Sequence, residues 1–311
     1  MNTFDLLAVV APVFLVIGAG FFASKIKLMS EQQVSGVMVF IQNFAVPALL
    51  FSATAKMDLA QSFAPNLLLS FYIPAFLTFV LGVTGASILL KQSGEDAVTI
   101  GFAALFANVT FLGLPISARA IGADALGSNF ALLSVHAPFC YFLGVVTMEL
   151  MRAKGASAKE ALHLISGSLI GNPLVMSTVL GLTLNLSELT LPEALQAAID
   201  MIGLAALPAA LFGLGGVLAR YRISDSIKET TFICVLSLLL HPAMTLILTR
   251  SAFPLPQAAA TSALITAAMA PGVNAYVFAS IFQRRMGVVA SAILIGTVLS
   301  IFTVTFWLLL A

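Results

Sequence analysis

The sequence predicts an all-α polytopic membrane fold, with ten transmembrane helices in two inverted five-helix repeats and helices 4 and 9 broken and crossing at prolines. Three observations carry that prediction. Hydrophobic residues make up 60% of the 311-residue chain and charged residues only 9%, against about 25% charged in an average soluble domain. Ten apolar stretches approach the roughly 20 residues that a helix needs to cross a bilayer core. Finally, Ala45-Val46-Pro47-Ala48-Leu49-Leu50-Phe51 returns 161 residues later as Ala206-Leu207-Pro208-Ala209-Ala210-Leu211-Phe212. At the same offset Pro12 meets Pro173 and Gly20 meets Gly181.

Helix 1 covers roughly 4–24. It opens Met1-Asn2-Thr3-Phe4-Asp5, without the positive leader of a signal peptide, and Lys25 and Lys27 follow it. It is therefore expected as a retained helix with its N-terminus outside. Helix 2 (about 34–54) carries Pro47, helix 3 covers about 66–90, and helix 4 (about 97–119) is interrupted between Asn108 and Pro115. Helix 5 (about 127–151) contains His136 and ends in Glu149 and Arg152, an expected local interfacial pair. Helix 6 covers about 162–184. Helix 7 (about 195–219) carries Pro208, with Asp200 in its first turn, where a carboxylate suits the helix dipole. Helix 8 (about 230–250) holds His241-Pro242, helix 9 (about 258–282) holds Pro271-Gly272, and helix 10 (about 287–310) places Trp307 near its outer interface. The connectors are short and polar, so 1–311 reads as a single membrane domain, with repeat one at 1–151 and repeat two at 161–311.

Basic residues set the orientation. Lys25, Lys27, Lys91, Arg152, Lys154, Lys159, Arg220, Arg222, Lys228, Arg284 and Arg285 fall on one side. Lys56, Arg119 and Arg250 fall on the other. This bias predicts a multi-pass membrane protein with both termini on the outer side. Five helices per half is an odd number, so the second half enters the membrane the opposite way round. Two related halves with broken helices are the mark of secondary transporters.

The breaks carry the chemistry. Helix 4 reads Asn108-Val109-Thr110-Phe111-Leu112-Gly113-Leu114-Pro115, and helix 9 reads Ala270-Pro271-Gly272-Val273-Asn274-Ala275-Tyr276. Proline lacks an N–H and clashes with the preceding turn, and glycine adjacent to it frees the backbone. Helix 4 is expected to stop near Asn108 and restart near Pro115, where proline suits a first turn. Unpaired backbone groups in hydrocarbon cost several kcal/mol each, so the two breaks are expected to satisfy each other by crossing. Two half-helix N-termini, each worth about half a positive charge, then meet at mid-depth. That place suits a carboxylate, with Asn108, Thr110 and Asn274 as neutral partners.

These residues resemble the auxin efflux carrier family of transporters, in its bacterial branch. The resemblance rests on Phe44-Ala45-Val46-Pro47, on Asn108 followed by Gly113-Leu114-Pro115-Ile116, on Gly171-Asn172-Pro173-Leu174, and on Pro271-Gly272-Val273-Asn274 with Tyr276-Val277-Phe278-Ala279. It implies a scaffold of helices 1, 2, 6 and 7 that commonly dimerises, with Pro47 and Pro208 as its hinges. Helices 3–5 and 8–10 would form a transport domain working by an elevator-like alternating access. It implies a small organic anion such as malonate or an auxin-like acid as substrate. The site it implies is Asn108, Thr110, Gly113, Pro115, Pro271, Gly272, Asn274 and Tyr276.

No Asp or Glu pair lies at mid-membrane, so the site is built from dipoles, amides and hydroxyls. His136 and His241 are the candidates for proton coupling, and sodium is the alternative coupling ion. No cofactor or metal is expected, since Cys140 and Cys234 form no ligand cluster. A net charge of +1 gives no reason for a nucleic-acid partner. A channel would show a ring of charge, and an intramembrane enzyme a nucleophile–base pair or His-Glu-x-x-His; neither is visible. Two small-residue stripes, Gly167–Gly171 and Gly213–Gly216, match close helix packing or a dimer surface.

Overall fold

A computed structural model describes residues 3–122, 126–152, 173–187, 189–221 and 226–311. These residues are helical, and among them the only β pairing is one isolated bridge between Ala107 and Pro271. The helices are α1 (Thr3–Lys25), α2 (Glu31–Lys56), α3 (Pro65–Ile88), α4 (Gly94–Leu105), α5 (Val109–Ile121) and α6 (Gly127–Arg152). They continue with α7 (Pro173–Leu186), α8 (Glu193–Leu218), α9 (Ile227–Arg250), α10 (Gln257–Ala267), α11 (Val273–Phe282) and α12 (Met286–Leu310). Each predicted apolar stretch is helical over its described residues, apart from the interruptions described below. Predicted helix 4 is α4 plus α5, and predicted helix 9 is α10 plus α11. Six of the helices, α2, α3, α6, α8, α9 and α12, are long and apolar enough to cross a bilayer.

Local chemistry sets the ends. Ser30 and Gln33 form a reciprocal capping box at the start of α2. Ser93 accepts from the Asp96 N–H at the start of α4. Pro65 opens α3, where its missing N–H costs nothing. Within α2, α5 and α9 a single π turn sits just ahead of a proline: Ile41–Ala45 before Pro47, Val109–Gly113 before Pro115, and Leu236–Leu240 before Pro242. The proline ring crowds the carbonyl four residues back. A widened turn relieves that clash without ending the helix.

Packing repeats between the halves. The first part of the chain lays α1 along the second half of α8, and the second part lays α7 along the second half of α2. At Gly20 an added Cβ would lie 1.9 Å from the Phe212 carbonyl oxygen, and at Gly181 it would lie 2.7 Å from that of Phe51. Both the glycines and the phenylalanines are spaced by 161 residues, so one close contact is made twice. The Gly213–Gly216 stripe is taken up inside the chain, against Met38, Ile17 and Val34. Gly167–Gly171, Gly171-Asn172 and the basic Lys154, Lys159 and Arg222 lie outside the described residues.

Polar side chains tie the helices in two sets. In the first, Asn185 of α7 donates to the carbonyls of Thr54, Ala55 and Met57 near the end of α2. Asp200 of α8 pairs with Lys56, Gln196 with Ser52, and Arg220 with Ser35. In the second, Asn129 of α6 donates to Ser117 of α5 and Thr266 of α10 and accepts from Ser262. Tyr72 of α3 donates to the Leu132 carbonyl.

The second set also has a charged cluster at one end. Glu95 meets Arg284 at 3.0 Å and Arg152 at 3.1 Å, and Asp96 meets Arg285 at 2.9 Å. Gln92 donates to Glu229. The hydrogen bond from Arg284, helped by that from Arg152, holds the Glu95 carboxyl below the usual carboxylate range.

Two expectations are corrected. Arg152 pairs with Glu95 rather than with Glu149, because α4 brings the carboxylates of Glu95 and Asp96 to the same end. Asp200 stands two turns into α8, since that helix starts at Glu193, and it meets a lysine rather than the helix N-terminus. Trp307 stands one turn from the end of α12; it is 6% exposed and donates its indole N–H to the Leu238 carbonyl of α9 at 2.8 Å.

Candidate functional site

The two interruptions face each other. Helix α4 ends at Leu105 and α5 begins at Val109; α10 ends at Ala267 and α11 begins at Val273. The Asn108 N–H donates to the Ala270 carbonyl at 2.8 Å, and the Gly272 N–H donates to the Phe106 carbonyl at 2.7 Å. Each break thus satisfies polar backbone of the other, where solvent is absent. Gly272 suits the close approach: an added Cβ would sit 3.3 Å from both the Ala107 oxygen and the Asn108 Cα, and the neighbouring backbone would have to give by a few tenths of an ångström. The helical path resumes at Val109, six residues before Pro115, and not at Pro115 as the sequence implied. The π turn lets proline stand in the second turn.

Beside this pairing lies a cavity of about 230 Å³. Residues of α2, α5, α6, α7 and α11 and of the two interruptions line it, and no Asp, Glu, Lys or Arg is among them. Asn108, Thr110, Gly272 and Asn274 line it, as does His136. Asn108 is 4% exposed; its Oδ1 accepts from the Phe111 N–H at 3.2 Å, capping α5. That bond fixes the amide orientation and leaves Nδ2 buried without a partner. The first-turn N–H groups of Thr110, Val273 and Asn274 have no backbone partner among the described residues, as helix starts require. Its lining among the described residues therefore holds several donors and no formal charge. Helix starts without charged neighbours can receive an anion through their dipoles.

The other predicted residues lie elsewhere. Gly113 packs against Met269, and Pro115 is buried in α5. Pro271 belongs to the bridge with Ala107 and touches the α12 backbone at Gly296. Tyr276 stacks on Tyr221, ring centres 5.1 Å apart. His241 is buried behind Phe71, 5.1 Å between rings, with both ring nitrogens unpartnered. His136 packs on the other side of the same cluster, 5.8 Å from Phe71 and 5.1 Å from Phe106. Pro47 follows the α2 π turn without lining the cavity, and Pro208 is exposed on α8. Sequence reasoning missed Gln42, Asn43, Ser134 and Thr178, which do line it. Gln42-Asn43 was the available signal: two adjacent amides in the middle of an apolar helix.

Residues 5–308 match the family described as "Membrane transport protein". The chain belongs to that family. It is the family to which the motifs pointed. Among curated relatives, the "Putative malonate transporter" of Rhizobium meliloti (strain 1021) is 24% identical over 307 residues, covering 97% of this chain and 94% of its own. The "Uncharacterized transporter YfdV" of Escherichia coli (strain K12) is 23% identical over 292 residues, covering 91% of this chain and 90% of its own. The transport family and its many apolar helices make this a multi-pass membrane transporter.

Proposed function

We propose that this member of the family is a secondary active transporter moving a small organic anion, a carboxylate of the malonate class, across the bacterial inner membrane. The observation that carries the reading is Asn108 at the start of α5, which lines the cavity beside the N-terminus of α11 and whose Nδ2 is buried without a partner. A donor left unmade in the interior is costly, and an incoming carboxylate would satisfy it. The cavity volume of about 230 Å³ equals that of some seven or eight waters at roughly 30 Å³ each. A short acid fits. The relative whose printed name includes malonate supports the same size class.

The proposed architecture is ten transmembrane helices in an inverted repeat, with the breaks crossing at the site. The doubled glycine contacts, Gly20 on Phe212 and Gly181 on Phe51, support it, since a two-fold axis in the membrane plane demands such pairs. The proposed motion is an elevator: α1, α2, α7 and α8 as scaffold, α3–α6 and α9–α12 as the moving body. The polar ties support that division, because each tie described above stays within one set. No hydrogen bond or ion pair given above crosses from one set to the other, so the sets can slide without breaking any of them. His136, on the cavity wall, favours a proton as the coupling ion, with both termini periplasmic.

A thermal-unfolding screen of the purified protein tests this. Short carboxylates are expected to raise the apparent melting temperature by mass action. Labelled substrate should also exchange in counterflow, as a carrier and not a channel allows. A panel of short mono- and dicarboxylates that moves neither would sink the reading.

A further inference from the structure

The basic end of the molecule differs between the two sets of helices. In the set of α3–α6 and α9–α12, Arg152, Arg284 and Arg285 all pair with Glu95 or Asp96. In the set of α1, α2, α7 and α8, Lys25 and Lys27 form no ion pair among the described residues. Arg220 adds a third positive charge beside them. It donates to the Ser35 hydroxyl and the Glu31 carbonyl, and no carboxylate holds it. Glu31 is the one acid between Lys25 and Ser35.

Between α1 and α2 the chain runs Lys25-Ile26-Lys27-Leu28. All four side chains are exposed, Ile26 by 70% and Leu28 by 73%. Large apolar groups left open in a turn are unfavourable in water. Ile26 also continues an exposed stripe of Leu15 and Phe22 on one face of α1, which leads from the lipid to the lysines. Lys27 is left-handed, with φ 62°, where glycine is the usual residue at a helix end. One cation at the end of α1 answers the helix dipole. A second lysine in a strained position, between two bare apolar side chains, is more than the dipole requires.

We propose that the α1–α2 turn docks an anionic phospholipid, its phosphodiester held by Lys25 and Lys27 and its acyl chains along Leu15, Phe22 and Ile26. An anion there displaces only water, whereas at Arg284 it would have to displace Glu95. A second copy of the chain is the poorer occupant, since two such turns would bring like charges together. The proposal needs only that the chain spans a membrane, so it stands or falls apart from the transported solute.

Lipid titrations of the full-length protein in detergent test it, read as the apparent melting temperature. Wild type is expected to respond to phosphatidylglycerol at least about tenfold below the concentration needed of phosphatidylcholine with the same acyl chains. Raising the salt from about 0.05 M to about 0.5 M should shrink that preference. Lys25→Gln/Lys27→Gln should bring the two lipids within about twofold of each other, and Lys25→Arg/Lys27→Arg should keep them apart. Lys91→Gln/Lys228→Gln removes the same charge from exposed sites of the other set and should leave the preference unchanged. The substituted positions are all exposed, so folding is retained. The proposal is overturned if wild type shows no preference, if Lys25→Gln/Lys27→Gln keeps it, or if both glutamine pairs lose it alike. Glycerol 1-phosphate at the same concentrations should shift nothing; a matching shift would make the ligand a soluble phosphate and overturn the lipid. A changed molar mass of Lys25→Gln/Lys27→Gln in light scattering would make the turn a contact between copies, and overturn it too.

Discussion

Asn108 caps a helix with one atom and leaves another free. Its Oδ1 holds the Phe111 N–H, while Nδ2 is buried and unpartnered in a residue that lines the cavity. The two roles separate by substitution. Asn108→Ala removes both, and should cost about 1 kcal/mol of stability from the lost cap. Asn108→Asp keeps an acceptor for Phe111 but replaces the donor with a negative charge. Both variants are expected to lose at least about tenfold in uptake, the worth of a hydrogen bond to a charged group. Only the alanine variant should also melt earlier. Uptake at the wild-type rate by a folded Asn108→Asp protein would remove this residue from the site. Asn108, Thr110, Gly272 and Asn274 were legible in the sequence because polar residues beside Pro and Gly in an apolar helix have few other uses. Tyr276 was not, because one turn past a helix start the side chain points to a neighbour, here Tyr221. Gln42 and Asn43 were hidden because an amide pair in a helix acquires a direction only once the π turn fixes it.

At the level of elements, prolines in the sequence marked where helices would deviate but not how. The break in helix 9 was foreseen. The three π turns were not, since the same Pro signal produces a kink, a break or a widened turn according to what satisfies the freed carbonyls. The 161-residue spacing of Gly20 and Gly181, by contrast, has a counterpart in packing, because each lies against the backbone oxygen of a phenylalanine, Phe212 and Phe51. An added methyl at Gly20 would meet the Phe212 backbone oxygen at 1.9 Å, while Gly18, two residues earlier in α1, has nothing within 4 Å. Gly20→Ala forces α1 off α8 and should cost about 1–3 kcal/mol or more. Gly18→Ala should be neutral or gain about 0.5–1 kcal/mol, as alanine does within a helix. Thermal unfolding of the two variants in detergent checks the contrast. Equal melting temperatures would mean that α1 and α8 are not held this closely.

Across the whole molecule, the polar ties given above fall into two sets of helices, and none of them crosses between the sets. The Glu95 cluster is the clearest clamp, joining α4 to the end of α6 and the α11–α12 turn. Arg284 and Arg152 depress the Glu95 pKa, so its contribution is complete above the ordinary glutamate value of about 4.3 and fades as the pH falls through the depressed one. The side chain is 24% exposed, which limits the contribution to about 1 kcal/mol. Wild type should therefore lose stability over Glu95→Gln as the pH is lowered below about 4.5, with the difference read from paired melting curves. Tyr221 and Tyr276 make a contact of another kind, because their ring stacking joins the end of α8 in one set to α11 in the other. If the sets move past each other, that contact breaks in every cycle. A short bis-maleimide linking Tyr221→Cys to Tyr276→Cys should then arrest counterflow. The same reagent linking Gln92→Cys to Glu229→Cys, whose native side chains meet at 2.9 Å within one set, should leave it running. Buried Cys140 and Cys234 supply little competing reactivity. Arrest by both links would mean the second set flexes internally, and arrest by neither would mean the solute passes without relative motion of the two bodies.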